Sequence, residues 1–150
     1  MTHKTKINFY NDGCSFLPAG RRRIRQWLQL VAEAEGRTIT EISYVFCSAE
    51  VHRGMNRQFL GHDYFTDVIT FDYGSRKERT AAGDIFIDVE TVADNARIYK
   101  TSRSSEMLRI IVHGLLHLCG QKDKTTRSEA KMHRKEDLYL ALYARMNDNQ

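Results

Sequence analysis

Two histidines four residues apart, His113 and His117, stand in the string HGLLHLCGQKD, where Gly120 and Asp123 complete a spacing of 0, 4, 7 and 10. Histidines at that interval on a helix present their imidazoles on adjacent turns of one face, so two nitrogens can reach one metal ion at about 2.0 to 2.1 Å. Gly120 can take the left-handed backbone that stops a helix and turns the chain back. Asp123 then approaches the same point from outside the helix and is the expected third ligand, with His133 on the last helix as the next candidate. Two imidazoles and one carboxylate leave a fourth coordination position open, the mark of a catalytic rather than a structural site. The donor types predict one zinc per chain, although nickel or iron(II) tolerates the same set. In zinc proteases of the HExxH type the residue after the first histidine is the glutamate base, whereas here it is Gly114. Metzincin-like proteases share the spacing of 0, 4, 7 and 10, so such a protease is the alternative enzyme reading, and Gly114 in place of the glutamate base is the residue that argues against it.

The helix bearing the histidines is predicted over residues 106–119. At about 100° per residue, Met107, Ile111, Leu115 and Leu118 centre a broad apolar arc flanked by Leu108, Ile110, Val112 and Leu116. Glu106, Arg109, His113 and His117 share the narrow polar stripe that remains, so a nearly buried helix with one polar side is expected. Upstream, residues 6–10 alternate as a strand does, and the loop NDGCSFLPAG holds the chain's only proline, Pro18. Over residues 21–35, Ile24, Trp27, Leu28 and Val31 recur at helical spacing while Arg21, Arg22, Arg25 and Gln29 are expected to face water. Residues 38–47, rich in β-branched and aromatic types, read as a strand, and Ser48 can cap a helix over 49–60. Two further strands are expected over 67–73 and 84–89, joined by GSRKERTAAG, which is too charged for the core. A modest helix over 91–100 and a last helix from Thr126 to about residue 144, opened by a capping box with Glu129, complete the chain. The expected architecture is α+β: about four strands in a mixed sheet packed with several helices, with the metal site on a buried helix and the loop after it.

A chain of 150 residues suits one domain, 1–150, and can bury roughly 70% of its unfolded surface without disulfides. With 41% hydrophobic and 28% charged residues it is too apolar for a disordered protein. No stretch approaches the roughly 20 apolar residues of a membrane span, and MTHKTKINFY lacks the apolar core of a secretory signal, so no membrane partner and a cytoplasmic location are expected. Cys14, Cys47 and Cys119 form an odd set without CxxC spacing and read as packing residues. The net charge of +4 tolerates a polyanionic partner without demanding one. Arg21, Arg22, Arg23 and Arg25 either bind phosphates or form ordinary solvated surface. Asp67, Asp72 and Asp84, beside strands, either orient a ligand histidine or cap strand ends.

The string HGLLHLCG with its acidic loop resembles the HGxLHLxGxDH motif of the YbeY family, metal-dependent, single-strand-specific endoribonucleases of ribosomal RNA maturation. MNRQFLGHDYFTDVITF, residues 55–71, is similar to the family's LNxxYRxKDxPTDVLSF, and GDIFID, residues 83–88, resembles its GDIVI strand. The match covers roughly residues 45–125 and reaches well beyond the metal motif.

The resemblance implies a cytoplasmic enzyme acting on RNA phosphodiesters, zinc held by the motif's residues, and a part in 16S ribosomal RNA 3' end maturation and ribosome quality control. Its partners would be the 16S precursor RNA and the ribosome. The family's third histidine falls on Asp123, and its YR arginine falls on Leu60. Arg57, one helical turn before Leu60, is the candidate to take over the catalytic guanidinium; His62, at the family's lysine, and Arg109, on the histidine stripe, are candidate substrate contacts. The loss of that arginine also keeps a different class in view, a non-catalytic ribosome assembly factor whose metal staples the last helices together.

Overall fold

The computed structural model describes residues 5–60 and 66–146. His62 lies outside the described residues. Among the described residues, four strands and five helices follow one another as β1 (Lys6–Asp12), α1 (Arg21–Ala34), β2 (Thr38–Cys47), α2 (Ala49–Leu60), β3 (Val68–Asp72), β4 (Thr80–Asp88), α3 (Val89–Ile98), α4 (Arg103–Leu118) and α5 (Thr126–Arg145). The strand order is β1-β2-β4-β3, with β1, β2 and β4 parallel and β3 antiparallel to β4. The sheet is therefore mixed.

Alternation along β2 and β4 turns Ile42, Tyr44, Phe46, Ile85 and Ile87 inward, where they join Ile24, Trp27 and Leu28 of α1 and Ile111, Leu115 and Leu118 of α4 in one core. Two buried hydrogen bonds fix the helices that matter for the site. Tyr44 Oη donates to the Ile111 carbonyl at 2.8 Å, tying α4 to β2, and Trp27 Nε1 donates to the Tyr139 carbonyl at 2.7 Å, tying α1 to α5.

Several element starts lie earlier than the sequence pattern indicates, each for a local reason. Helix α4 begins at Arg103 because Ser102 caps it, accepting from the Ser105 backbone nitrogen at 3.0 Å. Asp88 caps α3 in the same way and starts it at Val89. The capping box of α5 is formed by Thr125 and Ser128, one residue before the expected Thr126 and Glu129 pair. Strand β4 takes in the end of the polar linker, since Ala81 is fully buried and Gly83 fits where a Cβ would meet the Phe71 carbonyl oxygen at 2.2 Å. The basic face of α1 is also less free than expected. Arg25 Nε donates to the Ile7 carbonyl at 2.8 Å and Arg21 Nη1 to the Pro18 carbonyl at 2.9 Å, while Arg22 is exposed.

Candidate metal centre

Helix α4 is apolar on most of its surface, and Met107, Ile111, Leu115 and Leu118 are buried as its periodicity requires. That orientation turns His113 and His117 to one side. Their rings meet edge to face with centroids 4.5 Å apart, and the two Nε2 atoms are separated by 3.0 Å. After Cys119, Gly120 takes a left-handed φ of 92°, and the returning chain is held by Gln121 N donating to the Leu116 carbonyl at 2.9 Å. The turn brings Asp123 Oδ2 to 3.4 Å from His113 Nε2 and 3.3 Å from His117 Nε2. All three side chains are half-buried, at 15, 25 and 32% exposure, so solvent reaches one side of the group.

The three residues form a group whose ligand atoms lie within 4.8 Å of one another. Ligand atoms bonded to one tetrahedral ion at about 2.0 to 2.2 Å stand about 3.3 to 3.6 Å apart. The two separations to Asp123 match that spacing, and the separation between the histidines is slightly shorter. This donor set fits a divalent metal ion.

Electrostatics around the pair is asymmetric. Burial works against the charged form of His113, but the hydrogen bond and charge of Glu136, with Asp67 and Asp123 behind it, raise its pKa above the ordinary histidine value. Burial and the adjacent His113 lower that of His117, against the pull of Asp123. Asp67 is pushed up by burial, with His113 and His52 acting in the opposite sense. Of the three strand-side acids, Asp67 is thus the one coupled to the site. Asp72 accepts from the Gly74 backbone and Asp84 from Tyr73 Oη, which are structural bonds.

Glu136 is the residue that the sequence analysis missed. It is 5% exposed, and its Oε2 lies 2.5 Å from His113 Nδ1 while Oε1 accepts from Arg109 Nη1 at 2.9 Å. The one sequence signal is an acid in an apolar stripe, for Met132, Glu136 and Tyr139 share the buried face of α5.

Arg109 spends Nη1 on Glu136 and Nη2 on Asp137, the latter at 2.7 Å. His133 is 64% exposed and stands near Glu136 and Asp137 rather than in the histidine and aspartate group. Arg57 is exposed on α2 and lines a polar pocket with Gly13, Ser48, Glu50, Arg53 and Glu90, which includes none of the three metal-group residues. Leu60, at the end of the same helix, is exposed at 44%.

Comparison with known proteins identifies the family and the fold. Residues 12–144 match the family described as Endoribonuclease YbeY. The chain is 44% identical to the Endoribonuclease YbeY of Cytophaga hutchinsonii over 91% of this chain and 94% of that protein. It is 43% identical to that of Porphyromonas gingivalis over 91% of this chain and 89% of the relative. The solution structure of a Thermotoga maritima protein shares the fold with a TM-score of 0.64, at 24% identity over 91% of this chain and 88% of that one. A half-buried metal-type cluster on a mixed α+β scaffold is the class that fold and site define. Within that class, the chain belongs to the endoribonuclease YbeY family.

Proposed function

We propose that this chain is a metal-dependent endoribonuclease that cleaves single-stranded RNA during ribosomal RNA maturation, with His113, His117 and Asp123 as its metal ligands. The convergence of those three donor atoms, in a member of the endoribonuclease YbeY family, carries the proposal. Two imidazole nitrogens and a carboxylate oxygen suit zinc, one ion per chain. When bound, such an ion supplies Lewis-acid polarisation of the phosphodiester and activates the attacking oxygen. The proposed substrate is the 3' region of the 16S precursor, reached on the ribosome in the cytoplasm, with the 150 residues acting as one domain. Among the described residues no helix is long and apolar enough to cross a membrane.

The chain's own groups have separable parts in this proposal. The half-exposed side of the cluster admits RNA. Arg57 supplies a cation for the charge that develops on phosphorus, a part supported by its exposure and by its place in the family-like segment 55–71. His62 is proposed to touch substrate. Arg109 acts beneath the site through Glu136, because both of its terminal nitrogens are held by carboxylates.

Protease chemistry is disfavoured by packing as well as by sequence. A Cβ on Gly114 would lie 2.8 Å from Ile85 Cγ2, so the position of the HExxH glutamate faces the sheet and has no room for a side chain. The test is cleavage of single-stranded RNA, the same sequence as a duplex, and an unstructured peptide, each with and without a chelator. Chelator-sensitive cutting of the single strand alone is expected; cutting of the peptide, or of no substrate, contradicts the proposal.

A further inference from the structure

An ionised carboxylate on a buried helix face is costly unless both oxygens find donors. Glu136 stands between Met132 and Tyr139 on such a face, and both of its oxygens are engaged, Oε1 by Arg109 and Oε2 by His113 Nδ1. An apolar residue would fill this place without that cost. What the acid adds is an effect on His113.

A neutral imidazole carries one ring proton, and a carboxylate 2.5 Å from Nδ1 draws it to that nitrogen. Nε2 is left with its lone pair, and Nε2 is the atom that faces His117 and Asp123. We propose that Glu136 is the positioning residue of this metal site: it fixes the tautomer and ring plane of His113, and Arg109 holds Glu136 in register.

The chain of contacts crosses two helices. Arg109 lies one turn before His113 on α4 and pairs with two adjacent acids of α5, Glu136 at 2.9 Å and Asp137 at 2.7 Å. The aim of His113 is thereby set by the packing of α4 on α5, whereas Asp123 depends on the turn at Gly120. His113 and Asp123 thus have different supports. Carboxylates behind ligand histidines commonly change metal affinity by 10 to 100-fold when removed.

This inference rests on the metal reading above. Zinc affinity is measured at fixed pH by competition with a chelating dye for the parent, Glu136→Gln, Glu136→Ala and Arg109→Gln, alongside the thermal midpoints of the metal-free proteins. The ring nitrogens of His113 are followed by 15N NMR in the metal-free state. The alanine variant should bind zinc about 10 to 100-fold more weakly and lose the protonated Nδ1 signal, with the glutamine variant between it and the parent. Arg109→Gln should show a smaller loss in the same direction. A lowered midpoint with affinity within twofold of the parent makes Glu136 a mere strap between helices and overturns the inference. If the alanine variant fails to fold, the near-isosteric glutamine variant decides by the same criterion. A parent that takes up no zinc overturns the metal reading and this inference with it; a parent and an alanine variant that bind equally well overturn this inference alone.

Discussion

Gly114 approaches Ile85 so closely that a Cβ on the glycine would stand 2.8 Å from Ile85 Cγ2 and 3.1 Å from Cδ1. That contact sets how deeply α4 seats on β4, and the two histidines ride on the same helix. Gly114→Ala gains helix propensity but must push the helix off the strand, and overpacking of this kind costs about 1 to 3 kcal/mol. Denaturant unfolding should show a net loss of stability. Unchanged or increased stability would mean that the Ile85 side chain yields freely.

Arg57→Ala should slow RNA cleavage at least tenfold while zinc content and unfolding midpoint stay at parental values, as loss of a charge-stabilising cation removes a term often worth several kcal/mol. Cleavage at the parental rate would return Arg57 to the surface of α2. His62→Ala is then the next variant to assay.

RNA binding should weaken steeply with salt, because each phosphate neutralised by Lys or Arg releases a counterion. Arg22 is exposed on α1, unlike Arg25, whose Nε is bonded to the Ile7 carbonyl. Arg22→Ala should therefore shallow the slope of log affinity against log salt by about one unit without loss of stability. An unchanged slope assigns Arg22 to plain solvated surface.

Cys47 should be inert in the folded protein. Burial, reinforced by the charges of Asp12, Cys14 and Asp88, pushes its thiol up to about 12, so almost no thiolate exists near neutral pH. Iodoacetamide at pH 8 should label Cys47 only after denaturant is added, as mass spectrometry of the digest would reveal. Rapid labelling of the native protein contradicts this burial.

Much of the site was legible because it is local. His113, His117, Gly120 and Asp123 lie within eleven residues, and one helix periodicity plus one left-handed turn is enough to bring them together. Glu136 was not legible as a partner of His113, since their contact depends on how α5 crosses α4 and no periodicity within either helix reports that. The strands were legible one by one, from β-branched and aromatic runs. Their order was not, because β2 pairs in parallel with both β1 and β4, and such pairings join segments far apart in the chain. The early start of β4 was hidden by composition: Ala81 and Gly83 are core residues through small size rather than apolar bulk.

The most direct test joins metal content and RNA cleavage in a single preparation. The parent is assayed on single-stranded RNA as purified, after chelation and dialysis, and after return of one equivalent of zinc, with Asp123→Ala and Asp123→His carried alongside. Activity should vanish with the metal, return near one zinc per chain, be absent with a reduced metal content in Asp123→Ala, and survive in part in Asp123→His, where an imidazole replaces the carboxylate. Cleavage that persists in the chelated protein, or an Asp123→Ala variant that keeps both its zinc and its activity, would contradict a metal centre built on His113, His117 and Asp123.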